Sequence, residues 1–166
     1  MSTGWLQWDQ ETKFVSPGHK LYRSSAPSYA GSDSTQKLTE TAVQYLQTQG
    51  IDSVISFNQV PYNATEMQLL KDAKISYLHL PVMDYTAATI QQLRSAIAFY
   101  KDPKHKATLV HCGFGWGRTG TGVTAIQLDA TQGANPPESE WKSVNHVEES
   151  VQVAVLKQLK SELQKA

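Results

Sequence analysis

Cysteine is almost missing: Cys112 is the only one in 166 residues, so no internal disulfide can form. With no cysteine pair and five scattered histidines (His19, His79, His105, His111, His146), the ligand spacing of a structural zinc site is missing too. Net charge is also lacking. Fifteen Lys and Arg balance fifteen Asp and Glu, whereas a nucleic-acid footprint or a basic membrane-adhering face needs a positive surplus. Nowhere do eighteen apolar residues run together, so no membrane span is expected. Met1 to Gln10 lacks the basic-then-apolar order of a secretion signal. A cytoplasmic location is the expectation, with export by a route lacking a cleavable signal left open. What is present suffices for a core: 40% hydrophobic and 9% aromatic residues. The length fits one domain, 1–166, with 1–15 as a polar lead-in, and a monomer is expected.

Short apolar runs alternate with amphipathic stretches, the pattern of an α/β domain. Lys20 to Arg23 reads as a short edge strand, Ile51 to Phe57 as a buried strand, Ile75 to Leu80 and Ala107 to Cys112 as two more. Helical spacing covers about Thr35 to Gln49, Thr65 to Ala73, and the stripe Ile90, Leu93, Ile97, Tyr100. A further helix is expected from Thr119 to about Thr131, and a last one from about Val147, after Pro136-Pro137. Strand–helix alternation predicts a three-layer α/β/α fold with a central, mainly parallel sheet. Functional loops of such sheets lie beyond the carboxyl ends of the strands, here after Phe57, Leu80 and His111.

The chemistry concentrates in Val110-His111-Cys112-Gly113-Phe114-Gly115-Trp116-Gly117-Arg118-Thr119-Gly120. Gly115-x-Gly117-x-x-Gly120 matches the letters of a dinucleotide fingerprint, but no following strand ends in the acidic residue that fingerprint needs. A Walker loop fails for want of Gly-Lys-Ser/Thr. A structural cysteine in a glycine turn leaves Arg118 unexplained. The remaining reading is an anion cradle with a nucleophile. Glycines let successive N–H groups converge, a helix N-terminus adds partial positive charge, and arginine grips two phosphate oxygens at once. Thiols at helix N-termini beside cations ionise readily, and a thiolate facing a phosphoryl group is set for attack.

His111-Cys112, five residues, then Arg118-Thr119-Gly120 resembles the signature loop of the cysteine-dependent protein tyrosine phosphatases. Leu21-Tyr22-Arg23-Ser24, Val54-Ile55-Ser56 and Leu80-Pro81-Val82-Met83-Asp84 resemble the small dual-specificity branch, in order and spacing over roughly residues 16 to 160. The resemblance implies that Cys112 is the nucleophile, that Arg118 and the amides of Gly113, Phe114, Gly115, Trp116 and Gly117 bind phosphate, and that Asp84, twenty-eight residues before Cys112, is the general acid. Asp84 also follows a strand's carboxyl end, on the edge where Cys112 lies. Thr119 is expected to donate to the sulfur or to cap its helix. His111 is expected to support the loop rather than act as a base. Val147-Glu148-Glu149-Ser150-Val151-Gln152 resembles a family segment whose glutamine places water, against the alternative of a loop-contacting Gln152. Ser143, Asn145 and His146 stand where basic residues are usual.

The implied reaction is hydrolysis of phosphate monoesters through a phosphocysteine, with no metal and no cofactor. The expected partner is a phosphorylated protein, carrying phosphotyrosine or also phosphoserine and phosphothreonine. Two alternatives remain open at this point: an inositol-phosphate or phosphoinositide phosphatase, and a phosphoresidue-binding module without turnover.

Overall fold

The computed structural model describes residues 2–166. Its strands are β1 (Asp9–Glu11), β2 (Lys20–Ser24), β3 (Ser53–Ser56), β4 (Ser76–His79) and β5 (Ala107–His111). Its helices are α1 (Glu40–Thr48), α2 (Ala64–Asp72), α3 (Ile90–Lys101), α4 (Gly117–Ala130), α5 (Glu138–Ser143) and α6 (Ser150–Lys165), with a 3-10 turn at Asp33–Thr35. The strands form one sheet in the order β1-β2-β5-β3-β4. β2, β5, β3 and β4 are parallel, and β1 is antiparallel to β2. This is the expected mainly parallel sheet.

Alternate strand residues divide the core into two. Leu21, Ile55 and Val110 pack with α3, α4 and α6 residues such as Leu93, Ile126 and Leu156. Their neighbours Tyr22, Val54 and Leu109 pack with Ala42, Leu46 and Leu70 of α1 and α2. Period-two strands therefore bury both faces, which a sheet covered by helices on each side demands. Three layers result. No helix among the described residues is long and apolar enough to cross a membrane.

Three expectations shift. Lys20 to Arg23 is not an edge, because β1 pairs outside it with Asp9 opposite Arg23. The lead-in is also not merely polar: Trp5 is buried, and its indole N–H donates to the Ala42 carbonyl at 3.1 Å. Two tryptophans, Trp5 and Trp8, carried that signal in the sequence. Finally, α5 stands between Pro137 and Val144 as a helix of its own, with Trp141 buried under it.

Helix starts follow side-chain caps. Thr39 caps α1, while Asn63 with Glu66 and Thr89 with Gln92 form reciprocal boxes on α2 and α3, and at α6 Gln152 Oε1 accepts the Glu149 N–H. At α4 no side chain caps: its N-cap residue is Trp116. The first-turn N–H groups there lack a side-chain acceptor.

Candidate active site

Parallel registry brings the carboxyl ends of three strands level, with Ser24 and Ser56 both beside His111. The loop from Cys112 to Arg118 therefore leaves the sheet between the loops that follow β2 and β3. Its shape is set from outside. The carbonyl of Cys112 accepts from His111 Nδ1 at 2.9 Å, that of Gly113 from the Ala26 N–H at 2.7 Å, and that of Gly115 from Arg23 Nη2 at 3.2 Å. In a trans peptide the next residue's N–H points the opposite way. The amides of Gly113, Phe114 and Trp116 thus turn inward, and none has an acceptor among the described residues. The Gly115 N–H donates to Cys112 Sγ at 3.3 Å. Gly115 has φ +105°, and a Cβ there would meet the Ser25 nitrogen at 2.8 Å, so a side chain would prise the loop off β2.

His111 is fully buried and bonded at both ring nitrogens. Since a carbonyl only accepts, Nδ1 carries the proton toward Cys112, and Nε2 accepts from the Tyr62 hydroxyl at 2.7 Å. Burial pushes the imidazole down to about 4, against the opposing pull of the Cys112 carbonyl. The ring is neutral and bonds the loop through the Cys112 carbonyl. An unfolded histidine titrates near 6.5, so the unfolded chain binds more protons than the fold between pH 6.5 and about 4. The stability that neutral His111 contributes is complete above pH 6.5 and is lost as pH falls through about 4. That loss is on the order of 3 kcal/mol. Denaturant melts at pH 7 and pH 4.5 measure it. His111→Asn keeps an N–H for the Cys112 carbonyl and is expected to flatten the difference. An undiminished acid sensitivity in that variant rules His111 out as its source.

Arg118 is 4% exposed. Its Nη1 and Nη2 donate to Oδ2 and Oδ1 of Asp33 at 2.7 and 2.8 Å, and Nη1 also donates to the Val82 carbonyl at 2.7 Å. Burial works against the charged guanidinium, but the Asp33 bonds together with the negative charges of Cys112, Asp33 and Asp84 outweigh it and raise its pKa. Asp33 is likewise disfavoured as an anion by burial, and the Arg118 bonds with the Gln59 N–H carry its pKa below the ordinary carboxylate range. Asp33 was not among the residues that the sequence motifs single out. In the sequence it is one residue of a polar turn, Gly31-Ser32-Asp33-Ser34, in the loop after β2, and nothing there points to Arg118.

Asp84 lies where expected, at the mouth. Its side chain is 47% exposed, with Oδ1 3.4 Å from Arg118 Nη2. Its loop is braced by Gln152, which is buried and donates from Nε2 to the Thr86 carbonyl at 3.1 Å. Gln152 Oε1 accepts the N–H groups of Glu148 and Glu149, both at 3.0 Å. Those bonds fit the loop-contacting alternative and leave one Nε2 hydrogen for water. Thr119 does not cap α4; its buried hydroxyl has no partner among the described residues. Asn145 is buried and bonded to Thr124 and Gln127, so it offers nothing to a substrate.

Around the mouth runs a ribbon of rings. Tyr29 meets Phe114 edge-on at 5.9 Å, Phe114 meets Trp116 at 4.9 Å, and Trp116 stacks on His146 at 4.8 Å. Phe114, Tyr85 and Met83 are exposed. The cleft beside Asp33 and Asp84, about 460 Å³, is lined by Gly31, Ser32, Ser34, Gln59, Val60 and Tyr85 besides the two aspartates. No cation lines it.

A family profile described as the DSP-PTPase phosphatase domain of Swiss Army Knife proteins matches residues 22–164. Among curated proteins none matches significantly. Similar solved structures include PTPMT1 (TM-score 0.70, 18% identity, covering 95% of this chain and 96% of that one). Tk-PTP in its active form gives 0.65 at 25% identity, covering 85% and 91%. The core catalytic domain of the PP-IP phosphatase SIW14 from S. cerevisiae gives 0.61 at 16%, covering 92% of each chain. The profile spans the sheet edge, the loop and every helix just described, so the chain belongs to the dual-specificity-like family of cysteine-dependent protein tyrosine phosphatases.

Proposed function

We propose that the protein hydrolyses phosphate monoesters through a phosphocysteine on Cys112. The observation that carries this is the inward set of loop amides around a sulfur that itself accepts the Gly115 N–H. Cys112 Sγ attacks phosphorus as the ester P–O bond breaks, and protonated Asp84 gives its proton to the leaving oxygen. Water then attacks phosphorus and returns a proton to Asp84. The S–P bond breaks, releasing phosphate and the thiolate, to which the free Thr119 hydroxyl is available as a donor. Arg118 has five N–H groups, of which three are committed to Asp33 and Val82. Nε–H and one Nη2 hydrogen remain, a side-on fork for two phosphate oxygens.

The favoured substrate is a phosphotyrosyl protein. An exposed aromatic rim suits an aryl ester, whereas several phosphates on one ring require cations, and Met83, Tyr85, Phe114 and Trp116 beside the loop supply none. The test compares a generic aryl phosphate, phosphotyrosyl and phosphoseryl peptides, and an inositol polyphosphate, each with and without chelator. Expected is chelator-insensitive turnover, with kcat/KM for the phosphotyrosyl peptide about tenfold or more above the others, the scale of one well-used contact. Preference for the inositol polyphosphate overturns the substrate class. Absence of turnover on every ester, with retained binding, overturns catalysis in favour of a binding module.

A further inference from the structure

We infer that Asp33 is a positioning residue for Arg118, and that the phosphate grip depends on it; this rests on the proposed role of Arg118. A guanidinium on a flexible stem samples many rotamers, and it grips a phosphate well only when its plane and edge are already set. Nothing in α4 itself sets them, because Arg118 lies in the uncapped first turn. Asp33 does so from the loop after β2. Its two oxygens take the Nη1–Nη2 end of the fork, and the Val82 carbonyl takes a second Nη1 hydrogen. Only the Nε–Nη2 edge then carries no hydrogen bond, with Asp84 Oδ1 3.4 Å from Nη2.

Asp33 is itself fixed. Oδ2 also accepts the Gln59 N–H at 3.0 Å, and the Asp33 carbonyl accepts from Asn58 Nδ2 at 3.4 Å. Gln36 in turn accepts from the same Asn58 nitrogen at 2.9 Å. The carboxylate lies so close over Gly113 that a Cβ there would collide with Oδ1. Gly113 is therefore needed for the ion pair as well as for the loop.

Coulomb's law alone makes the opposite forecast. A carboxylate beside an oxyanion site repels the ligand, so neutralising Asp33 would tighten binding. Positioning says that binding weakens. The experiment is calorimetric titration with inorganic phosphate of the wild type, Asp33→Asn, Arg118→Lys and the double variant, with kcat/KM on an aryl phosphate measured alongside. Asp33→Asn is expected to weaken phosphate binding about tenfold, the scale of a lost charge-assisted hydrogen bond. In the Arg118→Lys background the same change is expected to cost less than about twofold, because coupled residues are non-additive. Tighter phosphate binding by Asp33→Asn, or equal losses in both backgrounds, overturns the inference. Thermal melts accompany each variant. If Asp33→Asn does not fold, Asp33→Ser, which keeps an oxygen for the Gln59 N–H, takes its place in the cycle. Phosphate affinity is read without turnover. A wild type that binds phosphate but hydrolyses nothing thus defeats the proposed function alone, and additive losses in an active enzyme defeat only the role of Asp33.

Discussion

Replacing Cys112 with serine is expected to stop turnover, with a loss on the order of 10⁴-fold or more, while phosphate affinity changes little. A serine hydroxyl stays protonated where a thiol ionises, and the adjacent imidazole is not free to take its proton. His111, the ring beside it in sequence, spends one nitrogen on the Cys112 carbonyl and the other on Tyr62. The anion cradle survives, because loop amides and Arg118 build it rather than the sulfur. Calorimetry with inorganic phosphate checks the second half of the prediction, and acid-quenched wild-type enzyme analysed for a phosphorylated Cys112 peptide checks the first. Appreciable turnover in the serine variant defeats the phosphocysteine route.

Asp84→Asn has the next largest effect, and its size follows the leaving group. A strongly activated phenolate departs almost unaided, whereas a tyrosine phenol with a pKa of about 10 needs a proton in the transition state. Expected losses in single-turnover phosphorylation are slight for the former and on the order of 10²–10⁴-fold for poor leaving groups. The other carboxylate at the mouth is no substitute. Asp33 gives both oxygens to Arg118 and is held ionised, so it has no proton to lend near neutral pH. Asp84 is half exposed and bonded only to its neighbour's N–H at 2.9 Å, besides the longer approach to Arg118. A uniform loss across a leaving-group series argues for misplacement instead, and no loss at all assigns the proton to a different group.

The parts of this fold carried by local pattern were legible in the sequence. Strand alternation at Val54-Ile55 and the helical stripe from Ile90 to Tyr100 emerge as β3 and α3 because burial on one or two faces imposes those periods. Cys112, Arg118 and Asp84 were legible because their spacing and their place after strands are one-dimensional facts. Asp33 was not. Its importance lies in a partner eighty-five residues away, and a lone aspartate in a Gly-Ser turn carries no mark of it. The antiparallel strand β1 escaped for a related reason: three residues, Asp-Gln-Glu, have no apolar rhythm, and it is the ladder to β2, a partner distant in sequence, that makes them a strand. Glu11 approaches Arg23 at 3.6 Å. Gln152 was legible in kind but not in detail, since its hold on the Glu148 and Glu149 N–H groups shows itself only once the helix start is fixed.

The outward stitching of the loop carbonyls bears on how the protein acquires its activity during folding. Gly115 is tied to Arg23 across ninety-two residues of chain, and the registry of Arg23 with Val110 must exist before that tie can form. Such distant pairings are slow to find, because a long segment loses its freedom before the contact returns anything. Helices α1, α2 and α3 all lie within that segment and can assemble early, whereas an amide cradle has no local means to hold its curve. Competence is therefore acquired late. A chain with its secondary structure in place but β2 undocked is inert, and recovered catalysis is a clock for closure of the sheet's centre rather than for helix content.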